Sequence, residues 1–261
     1  MDISVSDLLQ CVDADLNQDQ SILFRLFGYI RGRVPPDPAG VTASVSIRQL
    51  ANDLENDHIH INVIRVGFDV LSDTALGDAL IELDYSIYRI RNIYRPQGVG
   101  VGRVLHWFID SADADGMDDI GGTAEARDLW EAWSVDNDGI DAFFVRNISG
   151  TLLGLAPGGG GECNENSNDD GVLAAGIDAG DESVSRTCAH EIGHFLELPH
   201  NHPALPTGPC PTGNARFNLM AQTGCVPFIS GTSTRDTRNA VNLSDGQGST
   251  MRGHCSIREG C

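Results

Sequence analysis

The 261-residue sequence predicts an α/β fold, a mixed and mostly parallel twisted sheet with covering helices above an irregular C-terminal subdomain. Three observations predict it. From Ile59 onward Ile61, Val63 and Arg65 alternate against His60, Asn62 and Ile64, the period of a strand rich in β-branched residues. Next, Leu76, Leu80, Leu83, Ile87, Ile90 and Tyr94 recur at intervals of three and four, the stripe of a long helix lying on a sheet. After about residue 200 the periodicity fades, and Gly, Pro, Thr and Asn dominate.

The remaining elements follow in order. Residues 1–57 read as an N-terminal extension or partial pro-segment, with an apolar helical stretch Ser21 to Arg33 before the break at Pro35, Pro36 and Pro38. Residues 58–200 form the upper unit. There Gly98 to Gly102 breaks the chain, Arg103 to Ile109 is a second strand, Thr123 to Trp133 a helix, and Ile140 to Ile148 a third strand. A short apolar strand, Gly171 to Ile177, precedes the helix Ser183 to Leu198, for which Ser183 or Ser185 is a possible N-cap. The run Gly158 to Gly161 is most simply a flexible loop. Residues 201–261 form a lower unit whose one periodic stretch is Leu243 to His254.

Composition removes several function classes. Thirty-seven Asp and Glu against 17 basic residues give a formal charge of -20, which repels nucleic-acid backbones and anionic lipid surfaces. All 17 basic residues are Arg, so Schiff-base chemistry and the phosphate-loop and kinase lysines are absent. No stretch is long and apolar enough to span a membrane, and Met1 to Gln10 lacks the regions of a signal peptide. The seven cysteines show no Cys-x-x-Cys spacing, and Cys210, Cys225, Cys255 and Cys261 crowd into the loop-rich end. That pattern suits disulfide stapling in an oxidising compartment, so a secreted, monomeric, processed domain is expected.

The chemistry sits at His190-Glu191-Ile192-Gly193-His194. Two histidines four apart lie one turn apart on one helix face, so both imidazoles can reach a single zinc ion, while Glu191 projects beside it toward a water. A catalytic zinc needs a third protein ligand and an open position. The only later glutamates are Glu197 and Glu259, which offer no second-helix donor. His200, past the helix-ending Pro199, is the candidate, with His202 its local competitor.

The segment His190 to His200, HEIGHFLELPH, resembles the extended zinc-binding signature HExxHxxGxxH of the metzincin clan of metallopeptidases. Asn218-Leu219-Met220, twenty residues past His200, is similar to the Met-turn beneath the metal in that clan. The resemblance implies a metzincin-like catalytic domain, with His190, His194 and His200 as zinc ligands, Glu191 as general base and Met220 in the Met-turn. Two departures stand out. Glu197 replaces the glycine at the bend, where a left-handed conformation costs a non-glycine residue about 1–2 kcal/mol, so the reversal is expected to shift to Leu198 and Pro199. No Tyr follows Tyr94, so the tyrosine found after the Met-turn in astacin-, serralysin- and pappalysin-like members has no counterpart.

The implied activity is hydrolysis of peptide bonds in proteins. The alternative is a calcium-dependent extracellular binding or adhesion module on a degenerate scaffold, suggested by oxygen-rich loops. One of these holds Asp113, Asp115 and Asp118; the other holds Asp136, Asp138 and Asp141. His58, His60, His106 and His254 read as surface or packing residues. Cys188 faces about 200° away from His190 on the helix, and pairing with Cys163 is expected. Cys11, without a neighbour, could cap the zinc in a latent form.

Overall fold

The computed structural model describes residues 57–67, 73–150, 152–163, 170–175, 181–202 and 208–260. The segment Ser21 to Arg33 and residues Cys11 and Cys261 lie outside them. In chain order the elements are β1 (Asp57–Val66), α1 (Asp73–Tyr94), β2 (Val99–Ile109), α2 (Ser111–Ala114), β3 (Asp119–Ile120), α3 (Thr123–Trp133) and β4 (Ile140–Val145). They continue with β5 (Asn147–Ile148), β6 (Gly154–Leu155), β7 (Val172–Ala175), α4 (Asp181–Phe195) and α5 (Asp245–Arg252).

Five strands form one sheet in the order β2-β1-β4-β7-β6. All neighbours are parallel except β6, which runs antiparallel to β7 at the edge. Strand β1 is buried along almost its whole length, as a strand covered on both faces must be. On one face Ile59, Ile61 and Val63 meet Leu83, Ile87 and Ile90 of α1 and Ile192 and Phe195 of α4. On the other, Ile64, Phe143 and Val145 meet Leu129 and Trp130 of α3. Burying each of the α1 side chains contributes at most about 1.5–3 kcal/mol. Tyr94 at the end of α1 donates its hydroxyl to Ala189 O at 2.5 Å, which ties α1 to α4.

The glycine-rich run 98–102 does not break the chain. Strand β2 starts at Val99 and passes through it, with a register irregularity opposite the span between Ile59 and Ile61. A Cβ on Gly102 would fall 2.6 Å from the His58 ring and 2.9 Å from that of His60. The missing side chain makes room for two buried histidines. The third strand is also divided: Arg146 separates β4 from β5, which pairs with β3 in a small second sheet.

Helix α5 carries a capping box. The Ser244 side chain accepts from Gln247 N, and the Gln247 side chain accepts from Ser244 N. Ser183 and Ser185 lie inside α4 and are not its caps. Disulfides join Cys163 to Cys255 and Cys210 to Cys225. Cys188 is a free, fully buried thiol in the core between α1, α4 and the sheet, which overturns its pairing with Cys163. Its direction on the helix is as expected; that direction points into apolar packing, out of reach of Cys163.

Candidate metal centre

Helix α4 ends at Phe195, and its C-terminus sets the site. Leu198 N donates to Gly193 O at 2.9 Å and Glu197 N to His194 O at 3.0 Å, the paired bonds of a Schellman turn. The residue at the left-handed position is Glu197, with φ +66°. The reversal therefore falls on Glu197 itself and is not displaced to Leu198 and Pro199. The two backbone bonds, each worth about 0.5–1.5 kcal/mol net, offset the roughly 1–2 kcal/mol cost of a non-glycine residue there.

The reversal carries His200 back over the helix. His190 Nε2 and His194 Nε2 are 3.1 Å apart, and each is 3.2 Å from His200 Nε2. Tetrahedral zinc bonds of about 2.0–2.1 Å put neighbouring ligand atoms about 3.3 Å apart, so the triangle has the right size. Two of the rings are fixed from behind. The Nδ1 of His190 bonds Leu219 O at 2.7 Å, and the Nδ1 of His194 bonds Leu198 O at 2.7 Å. Carbonyls only accept, so both Nδ1 atoms carry the proton and both Nε2 lone pairs face the shared centre.

Burial depresses all three imidazole pKa values, that of His190 well below the ordinary value and that of His200 to about 4. The rings are neutral at pH 7, the form that binds a metal. Converging lone pairs with no proton between them repel one another, and a cation resolves that repulsion. Among the described residues this is the only group of three or more His, Cys, Asp or Glu side chains placed to share an ion. His202 stays outside it. Its Nε2 accepts from Gln222 N at 3.1 Å while its ring stacks on His200.

Glu191 is buried, and burial raises its pKa to about 8 against the opposing charge of Arg186. Its side chain lies against the backbone of β6: a Cβ on Gly154 would fall 2.6 Å from Glu191 Cγ and Oε1. Met220 is fully buried under the motif, and its Sδ would be 2.8 Å from a Cβ on Gly193. The motif glycine thus admits the methionine. Asn218 Oδ1 accepts from Met220 N at 2.9 Å and holds the turn.

Sequence reasoning missed two residues of this assembly. Arg186, one helical turn before His190, is buried and donates to Leu219 O and Ala240 O at 2.9 Å and to Ala221 O. It gathers the segment around Met220. Gly154 sits in a two-residue strand with no periodicity to reveal it. Neither role had a signal in the sequence, because the carbonyls that Arg186 meets and the side chain that fills the place beside Gly154 come from distant segments.

The acidic loops do not converge. Asp110 caps α2, accepting from Ala112 N and Asp113 N, and Asp118 pairs with Arg146 at 2.9 Å. Asp113 and Asp115 are exposed, and Asp115 sits at φ +46° as the C-cap of α2. In the second loop Asp138 meets Arg103, His60 and Arg258, while Asp141 accepts from Asn62 Nδ2 at 2.7 Å and Val135 N at 2.8 Å. Asp110 is thus engaged in a cap, Asp118 and Asp138 in ion pairs, and Asp141 in hydrogen bonds.

No family model and no curated protein sequence matches the chain. Solved structures do. Metalloproteinase-II from Bacteroides fragilis is similar with a TM-score of 0.45 and 16% identity over 77% of this chain and 54% of that one. A chaperone-substrate complex follows at 0.44 and 12%, over 77% of this chain and 34% of the other. Archaemetzincin from Methanopyrus kandleri is similar at 0.41 and 13%, over 74% of this chain and 94% of that one. The chain thus spans about half the length of the first and about a third of the second.

Proposed function

We propose that the chain is a zinc-dependent endopeptidase of metzincin type, with His190, His194 and His200 as ligands, Glu191 as general base and Met220 in the turn beneath them. The observation that carries this reading is the convergence of three imidazole Nε2 atoms at 3.1–3.2 Å beside a buried carboxylate. A zinc ion held there supplies Lewis acidity, lowering the pKa of a water and polarising a carbonyl.

Glu191 accepts the proton as the water oxygen bonds the scissile carbonyl carbon. It returns that proton to the amide nitrogen as the C–N bond breaks, leaving a carboxylic acid and an amine, and transfer of the remaining hydroxyl proton to the amine gives carboxylate and ammonium. Burial favours its proton-holding form, and a neighbouring dication favours its ionised one, so the group is poised to do both. The rear hydrogen bonds of His190 and His194 keep the ligand set in place through the cycle. A protein substrate lies extended along the edge strand β6, whose Gly154 backbone touches Glu191, and pairs with it through main-chain bonds. The disulfides accord with an extracellular setting.

The calcium-dependent module is not favoured, because Asp113, Asp115 and Asp118 do not converge. Metal analysis paired with digestion of an unfolded protein tests the proposal. One zinc per chain is expected, with cleavage abolished by a chelator and restored by zinc but not by calcium. Calcium without zinc, and no cleavage across a broad peptide library, would refute it.

A further inference from the structure

A recess of about 400 Å³ opens between segment 156–160 and the turn 197–199, with His194 on its wall. Its floor is fixed. Gly161 N donates to Phe195 O at 2.8 Å, and a Cβ on Gly161 would collide with the Phe195 ring, so the glycine-rich segment is pinned to the end of α4. Gly160, at φ +96°, leaves room for the Glu197 side chain, whose Cγ would be 2.8 Å from a Cβ there. Glu197 is exposed and has no ion-pair partner among the described residues. It is the one carboxylate in a wall that, besides His194, is made of Ala156, Pro157, Leu198, Pro199 and bare glycine backbone.

We infer that this recess selects an Arg or Lys side chain of the substrate, bound N-terminal to the cleaved bond, with Glu197 as the specificity-determining residue. The inference rests on the peptidase reading for its substrate. A basic side chain has an apolar stem and a charged head. Here the stem meets Leu198, Pro199 and Ala156, and the head meets the Glu197 carboxylate. The chain's charge of -20 draws the same substrates in over longer range.

Strand direction gives the side. Strand β6 runs from Gly154, against Glu191, through Leu155 into segment 156–160. A peptide pairing antiparallel to it runs the other way, so the residues over the recess precede those at Glu191. They lie before the scissile bond.

The test separates binding from catalysis. Fluorescein-labelled peptides carrying Arg or Gln at each of the three positions before the expected cleavage point are titrated against the zinc-loaded Glu191→Gln protein and against the Glu191→Gln, Glu197→Gln double variant. The Arg peptide should bind about three- to tenfold tighter at one position, and the double variant should reduce that ratio to near one. Glu197→Arg in the same background should reverse the preference toward a Glu peptide. A ratio near one in the first protein, or a ratio that survives Glu197→Gln, overturns the inference. Wild-type digestion is run alongside: cleavage without the Arg preference defeats the recess and leaves the peptidase, whereas an intact affinity ratio without cleavage does the reverse.

Discussion

Arg186 and His190 donate to the same acceptor, the carbonyl of Leu219. One side chain holds the turn in place and the other is held by it, so the orientation of the His190 ring depends on the Arg186 guanidinium. Burial lowers the Arg186 pKa only to about 10, and the charge persists at pH 7. Arg186→Met removes the side-chain donor to the carbonyls Ala221 O and Ala240 O and leaves Leu219 O with His190 alone. Zinc affinity should fall about 10–100-fold, with Arg186→Lys intermediate because an ammonium reaches fewer of them at once. Competition with a chromogenic chelator reads this directly, and affinity within twofold of wild type would refute the coupling.

Glu197→Gly removes the left-handed penalty while keeping both turn bonds. Stability should rise by about 1 kcal/mol, read as an increase in Tm for the metal-free protein. A decrease would mean that the Glu197 side chain contributes more through its packing on Gly160 than the backbone loses.

Gly154→Ala places a methyl group 2.6 Å from Glu191 Cγ and Oε1. The carboxylate has to move while the three histidines do not. Peptide hydrolysis should fall at least about tenfold with zinc content unchanged, since small displacements of a reacting group carry large rate costs. Loss of zinc in this variant would show that β6 supports the ligands and not the base.

The raised Glu191 pKa makes a signed prediction for the metal-free protein. Between its unfolded value of 4.5 and its folded value of about 8 the folded state holds the extra proton. Glu191 therefore supports folding below about pH 4.5 and loses that contribution as pH rises toward 8. Glu191→Gln has no such loss, so its Tm should gain on wild type steadily across that window in a chelator. Zinc favours the ionised carboxylate, and the gap should narrow when the metal is added. A gap independent of pH would contradict the burial of an ionisable group at this position.

The convergence of His190, His194 and His200 was legible because its determinants are local. The spacing of His190 and His194 is one helical turn, and Pro199 signals that His200 lies beyond the helix. Strand β1 and helix α1 announced themselves through periodic apolar residues, among them Ile59, Ile61, Val63, Leu83, Ile87 and Ile90, that meet in one cluster. The turn was mislocated because the steric cost at Glu197 is visible in sequence, whereas the two carbonyls that its neighbours satisfy are not. Gly102 read as a breaker because the rings of His58 and His60, which fill the place of its side chain, arrive from another strand. Arg186, Gly154 and the Cys163–Cys255 bridge are likewise facts of tertiary approach.

In the proposed mechanism Glu191 moves the proton at a centre held by His190, His194 and His200. Zinc stoichiometry and peptide hydrolysis measured together on Glu191→Gln test this role. One zinc per chain with hydrolysis reduced about 10²–10⁴-fold is the result the geometry predicts. Wild-type hydrolysis at full zinc occupancy would contradict it.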